Sequence, residues 1–378
     1  MYPVSSAYTT AIQASRRILD KSVTVGGTTY SGSRVRNLTL HESVSDNSDR
    51  RLPGVAACAS IRTSIVGSIS ESLVGTEMTA KSIVTLADGT SVSVPLGVFV
   101  IQDIQRAPGT NVTQIWGYDR MCLLDGTDFV HKLDDVTVSP VWTSFYDLLN
   151  AIVPYDNSGD IKWATVPEVV STTVRIPLDE LHGYNRKELI AYIAGAHGCF
   201  ARFTRGGNLE FAWYANSNLT IPSKAIHMGG LILKSASDVT DEVSIYSNDD
   251  VSVYGYGDYT NDLISGLFAY VVENPSSTAS PGSLTYRGDP SIQAGDIVTV
   301  TLRNGSTRRF AVSAHTLTFS GGLSGTVESH GLARKTFHTL DATHREIQRL
   351  KKVYAIVEEP NEDDSTSDSE ELTTEVTE

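Results

Sequence analysis

Ile83-Val-Thr-Leu-Ala-Asp-Gly-Thr-Ser-Val-Ser-Val94 is the stretch on which the fold turns. Apolar and polar residues alternate on either side of Ala87-Asp88-Gly89, and a period of two puts every second side chain on one face of a strand. Two such runs around a Gly-containing turn read as a β-hairpin. The same texture extends outward in both directions. Val23 and Val25 precede Gly26-Gly27, and Ile61, Thr63 and Ile65 precede Gly67. Val98 to Ile104 and Val112 to Trp116 flank Pro108-Gly109. An all-β sandwich or barrel is predicted over residues 21–118.

A second β region is predicted from Leu231 to Phe337. Its clearest hairpin sets Val298-Thr-Val-Thr-Leu302 against Arg309-Phe-Ala-Val312 through Asn304-Gly305, a type I′ signal. Thr301-Leu-Arg-Asn-Gly-Ser306 reads like Thr85-Leu-Ala-Asp-Gly-Thr90, which points to two copies of one β module. Residues 119–230 between the two regions are mixed. Phe145, Leu148, Leu149 and Ile152 follow helical spacing and stop at Pro154. Asn185 and Glu188 form a capping-box pattern that opens a helix ending near Gly198. A hairpin follows, Phe200–Thr204 with Leu209–Trp213, across Arg205-Gly-Gly-Asn208. At the N-terminus, residues 5–20 read as one amphipathic helix with Tyr8, Ile12 and Leu19 on its stripe. A last helix is predicted through Asp341–Tyr354.

The fold class predicted is α+β, mainly β. The segments are 1–118 (N-terminal helix and first β-barrel), 119–230 (inserted α/β domain) and 231–337 (second β-barrel). A C-terminal helix at 338–357 and a disordered acidic tail at 358–378 complete the chain.

Charge and composition limit the function. Of 378 residues 40% are apolar and 20% charged, enough to bury a core. No apolar run is long enough to span a bilayer as a helix, so no membrane insertion is expected. The N-terminus lacks the basic and apolar parts of a secretory signal. Ten acidic residues and no basic one fall in Glu358–Glu378, so only −4 of the net −14 belongs to residues 1–357. No concentrated basic face is visible for general nucleic-acid binding. Three widely spaced cysteines without a Cys-x-x-Cys argue against a disulfide framework or a zinc knuckle.

The search for chemistry finds no phosphate-binding loop, no His-Glu-x-x-His, no Gly-x-Ser-x-Gly and no Ser-x-x-Lys. Cys58 and Cys122 sit in apolar settings, and Cys199 follows a helix C-terminus, which raises a thiol pKa. All three read as packed side chains rather than nucleophiles. Asp249, Asp250, Asp258 and Asp262 match no calcium-loop spacing. Asp241 and Glu242 are adjacent, whereas glycosidase carboxylates come from separate elements facing a cleft. The tyrosines Tyr246, Tyr254, Tyr256, Tyr259 and Tyr270 would suit a sugar-binding face, but interleaved with Gly they fit β cores and subunit interfaces better. No catalytic, cofactor-binding or metal-ligating residue is assigned. A cell-wall hydrolase using Asp241 or Glu242 and a carbohydrate-binding module in the second β region are the alternatives.

Three stretches together resemble the tail or baseplate hub proteins of tailed bacteriophages. They are Val94-Pro-Leu-Gly-Val-Phe-Val100 with Ile115-Trp-Gly-Tyr-Asp-Arg-Met-Cys-Leu-Leu-Asp125, then Arg186–Gly198 with Phe200–Glu210, then Gly288-Asp-Pro290 with Gly295-Asp-Ile-Val298. The resemblance implies two tail-tube-like barrels per chain and a homotrimer whose six barrels match a six-fold tail tube. It further implies partners in the tube or distal tail protein and in a spike, fibre or tape-measure protein. DNA would pass without specific binding. The virion tail tip is the expected location, after assembly in the host cytoplasm. Many relatives continue into a hydrolase or receptor-binding region; here the acidic tail is expected to leave those tasks to other chains.

Overall fold

The hairpin read from residues 83–94 forms as expected. In the computed structural model, which describes residues 2–45, 50–51, 54–106, 108–125, 142–144, 162–163, 175–177, 185–196, 199–234, 245–246, 279–332 and 337–338, strands β5 (Glu77–Thr85) and β6 (Ser91–Arg106) pair antiparallel. All of these residues lie within one unit, Met1–Thr339. The other long strands before them are β1 (Ile18–Val25), β2 (Thr28–Ser31), β3 (Val35–Ser43) and β4 (Ser60–Val66), and β7 (Val112–Asp119) follows. Strands β8 (Phe200–Phe203), β9 (Asn208–Ala212), β10 (Ala215–Ile221) and β11 (Ile226–Leu233) come next. Then come β12 (Gly282–Tyr286), β13 (Asp296–Thr301), β14 (Thr307–Ala311), β15 (Ala314–Ser320) and β16 (Leu323–Ser329). Two helices are described, α1 (Ser6–Gln13) and α2 (Arg186–Ala196).

Eleven strands make one sheet in the order β11-β12-β16-β15-β3-β4-β7-β6-β5-β1-β2. The two β regions are therefore joined edge to edge, by the antiparallel seam of β3 with β15. Leu38 faces Phe319 and Leu40 faces Leu317 across that seam, all four buried. Each such side chain contributes about 1.5–3 kcal/mol through removal from water.

Strand β6 turns the corner of the first β unit. Its residues 91–100 pair with β5 and its residues 99–106 with β7. The sheet thereby folds over on itself, and Val23 and Val25 of β1 share a core with Leu38 and Leu40 of β3 and with Tyr8 and Ile12 of α1. The expectation of two closed barrels is corrected: among the described residues the order has two free ends, and no ladder closes it. In the second unit a separate sheet, β10-β13-β14, packs on the long sheet through Leu219, Val298, Val300, Phe310, Leu284 and Val327. The boundary expected at 230 falls inside β11, and β10 and β11 both pair with strands of the second unit.

Two local readings change. The helix expected over residues 5–20 is only Ser6–Gln13, capped by Ser5, whose Oγ accepts the Tyr8 N–H at 3.2 Å. Ala14 is extended, and Ile18–Val25 is drawn into a ladder with β5, so tertiary pairing overrides the helical spacing of Leu19. The Asn304-Gly305 turn is not type I′, because Asn304 does not have a positive φ. Leu302 N donates to Ser306 O (2.8 Å) and Gly305 N to Leu302 O (3.0 Å), a type I turn closed by a left-handed Gly305 at φ +83°. The other copy of the motif repeats this, with Leu86 N to Thr90 O at 2.7 Å, Gly89 N to Leu86 O at 3.1 Å and Gly89 at φ +85°. Asp88 Oδ1 accepts the Thr90 N–H at 2.9 Å, and Asn304 Oδ1 accepts the Ser306 N–H at 3.1 Å. The shared six-residue pattern is thus one turn made twice.

The capping box holds: Asn185 N donates to Glu188 Oε2 (2.9 Å) and Glu188 N to Asn185 Oδ1 (2.8 Å). The β8–β9 hairpin forms as read. The helices predicted at 145–152 and 341–354 and the acidic tail lie outside the described residues.

Candidate functional site

The polar tip of the β8–β9 hairpin is the best-connected point among the described residues. Gly207, at φ +80°, lets the chain turn back tightly between the strands. The turn delivers Arg205 to the end of the β3–β15 seam, where its side chain is 4% exposed. Arg205 Nε donates to Glu42 Oε1 at 3.0 Å and Nη2 to Glu42 Oε2 at 3.2 Å, a two-pronged ion pair. Nη1 donates to the carbonyls of Pro95 (3.2 Å) and Pro290, and Nη2 to that of Ile292 (2.9 Å). One guanidinium therefore ties β3, β6 and the 290–292 loop together. Burial pushes the Glu42 carboxyl up, but Arg205 outweighs it and holds the group below the usual carboxylate range.

His315 stands opposite Glu42 in the seam and is fully buried. Its Nδ1 lies 3.1 Å from the Ile292 carbonyl, so Nδ1 carries the proton; its Nε2 lies 3.1 Å from the Tyr286 hydroxyl. Burial pushes His315 down to about 4, with Arg205 adding to that and Glu42 opposing it. Tyr286 Oη in turn accepts the Asp289 N–H at 3.1 Å. Asp289 Oδ1 accepts from Tyr8 Oη (3.0 Å), Ser291 N (2.9 Å) and Ser291 Oγ (2.7 Å), which anchors α1 to the second β unit. Arg17 adds bonds to the carbonyls of Gly288 (2.9 Å) and Arg287 (2.6 Å).

Beside this network lies a cavity of about 260 Å³ lined by Tyr2, Glu42, Ala59, Asp119, Arg202 and Gln293 among others. Asp119 caps the turn after β7: its Oδ1 accepts Met121 N (2.9 Å) and its Oδ2 accepts Ala59 N (2.7 Å). Burial pushes its carboxyl up to about 6. Arg120, next in the Tyr-Asp-Arg run, grips Glu77 at 2.6 and 2.9 Å and donates to Gly207 O at 2.9 Å.

The chemistry of these groups is that of a fastener. Burial raises the Cys58 thiol and pushes Cys122 up to about 11, so both stay protonated at neutral pH and neither is a thiolate nucleophile. Cys199 is buried, its N–H bonded to Ala194 O at 2.8 Å at the end of α2. Ser45 Oγ lies 3.1 Å from His330 Nδ1, and His330 Nε2 lies 3.5 Å from Glu328. That order resembles a hydrolytic relay, yet Ser45 is buried and the carboxylate of Glu328 is exposed to solvent. No cluster of three or more metal-type ligands occurs among the described residues. Asp241, Glu242, Asp249, Asp250, Asp258 and Asp262, and the side chains of the five tyrosines, lie outside the described residues. Sequence reading missed Glu42, Arg205 and His315; the only available signal was a lone arginine in a Gly-Gly turn.

No protein-family model matches the sequence, and no curated protein does. Among solved structures, the chain is similar to the 43 kDa tail protein of prophage MuSo2 from Shewanella oneidensis, with 11% identity and a TM-score of 0.49 over 82% of this chain and 98% of that one. It is similar to the tail protein from Neisseria meningitidis MC58, with 13% identity and a TM-score of 0.48 over 82% and 96%. A third likeness is to the half-lidded Francisella PdpA–VgrG complex, with 9% identity and a TM-score of 0.44 over 85% of this chain and 60% of that one.

Proposed function

We propose that this chain is a structural protein of a bacteriophage tail. In this reading it is a homotrimeric hub at the tail tip or baseplate, joins the six-fold tube to a three-fold spike or tip, and lines the path of the DNA. Catalysis belongs to other chains. One observation carries the reading: a layer of eight strands, β11-β12-β16-β15-β3-β4-β7 and the second half of β6, runs unbroken through both β units. One face of that layer is sealed on the cores. The other presents a cross-strand row of Thr285, Thr326, Thr316, His41 and Ser60. Such a hydroxyl-rich, weakly charged surface gives phosphates little to bind and would let DNA slide.

Both edges of the layer are open among the described residues. Strand β11 pairs only with β12, and β6 beyond Ile101 pairs only with β7. Open edges invite strand addition, and a head-to-tail contact that closes after three copies removes them all. Two β units per chain then give six around the axis. Native mass spectrometry of the purified chain, followed by electron microscopy with tube protein added, tests this. A trimer that caps tubes is expected; a stable monomer that joins neither tube nor spike proteins overturns it.

A further inference from the structure

On its core face the seam between the two β units pairs Phe319 with Leu38 and Leu317 with Leu40, and at one end His315 with Glu42. Both ring nitrogens of His315 are committed. Nδ1–H points at the Ile292 carbonyl, which also receives Arg205 Nη2. The Tyr286 hydroxyl accepts the Asp289 N–H, so its own proton goes to Nε2. We propose that His315 is an acid-sensitive latch: its protonation at Nε2 releases the 286–292 loop and opens the β3–β15 seam.

The consequences of adding that proton follow from the neighbours. The Tyr286 hydroxyl loses its acceptor inside an enclosed site and has to turn away from the ring. A second cation appears one carbonyl away from Arg205, while Glu42 is already neutralised by that guanidinium. The groups facing His315 from each packed element are Glu42 and, further off, His41 from β3, Arg205 from the hairpin tip, and Tyr286 from β12. Asp289 from the following loop, Tyr8 from α1 and Arg17 after α1 form the next layer. Of these, Glu42 alone is a carboxylate set directly across from the ring, and Asp289 is occupied by Tyr8 and Ser291. Burial is the largest effect and favours the neutral ring; Glu42 opposes it, and Arg205 and His41 support it. The 286–292 loop also holds α1 through Tyr8 and the chain after it through Arg17, so its release loosens those contacts between the N-terminal segment and the second unit. The proposal is independent of the tail role.

The test is hydrogen exchange by mass spectrometry on the full chain, with labelling times corrected for pH, from pH 7 down to pH ~3.5, a range that brackets the titration of a buried histidine. Peptides spanning 35–43 and 314–320 are expected to lose protection together in acid, while those spanning 18–25 and 77–85 keep theirs. In His315→Gln, which stays neutral, that loss should move to lower pH by about one unit or more. In Tyr286→Phe, which removes the hydroxyl that favours the neutral ring, it should move up. The proposal fails if all four peptides open together, or if the seam peptides stay protected throughout. It also fails if the midpoint is the same in Tyr286→Phe as in the wild type, a comparison that stands even where His315→Gln does not fold.

Discussion

Arg205 illustrates how much one side chain can hold when it is buried and fully bonded. Its five contacts reach residues 42, 95, 290 and 292, none of them local in sequence. Replacing it with Ala strands Glu42 as an unpaired buried charge and takes a donor from the carbonyls of Pro95, Pro290 and Ile292. A loss of about 3–5 kcal/mol is expected from urea unfolding, with part of it recovered in Arg205→Met combined with Glu42→Gln. Asp119 makes a second prediction at this scale, in the opposite pH sense to His315. Burial raises its folded pKa to about 6 from an ordinary 3.8. Its protonated form is therefore favoured in the fold, and the contribution is greatest in acid and lost as pH rises through 6. The stability of the wild type relative to Asp119→Asn should fall by about 2 kcal/mol between pH ~4.5 and ~7.5, read from paired melting curves. A difference that does not change with pH would mean that the carboxyl titrates as if exposed.

Elements built from local signals were legible in the sequence; those built from distant ones were not. The two type I turns follow from Asp88-Gly89 and Asn304-Gly305, because an Asx oxygen and a left-handed glycine act within five residues. The Asn304-Gly305 turn was misread as type I′, since the dipeptide alone does not fix φ at the Asx position. A Cβ at either glycine meets no atom within 4 Å, so the cost of Ala is conformational alone. Gly89→Ala and Gly305→Ala are expected to cost about 1–2 kcal/mol each, and about equally, by calorimetry. Gly117→Ala should cost more, because its Cβ would sit 2.9 Å from the Val100 carbonyl oxygen in the neighbouring strand. The truncated first helix has the opposite lesson. The periodicity of residues 5–20 was real to Ile12, but the β5 ladder that claims Ile18 lies sixty residues away and leaves no local mark. The seam, and with it the Glu42–Arg205–His315 cluster, was illegible for the same reason.

At the scale of the whole molecule, the eight-stranded layer poses a problem that a monomer does not solve. Its terminal strand β11 exposes Met228 (90%), Ile232 (59%) and Leu233 (44%), an apolar stretch on an unpaired edge. Such an edge in isolation is an aggregation hazard, and natural sheets normally blunt it with charge. Here no charged residue interrupts Met228-Gly-Gly-Leu-Ile-Leu233. The economical explanation is that the edge is covered in the assembled state, in keeping with the trimer proposed above. Because the contact would be apolar, raising salt from ~0.05 to ~1 M should leave the oligomer intact, whereas a contact held by surface ion pairs would weaken as the Debye length shrinks. Met228→Lys combined with Ile232→Lys should convert trimer to monomer in native mass spectrometry. The melting temperature of the resulting monomer should match that of wild-type protein diluted until it dissociates, since neither side chain reaches a core. A trimer that survives both lysines would place the subunit contact away from β11, and would leave this apolar edge to be covered by something other than a second copy.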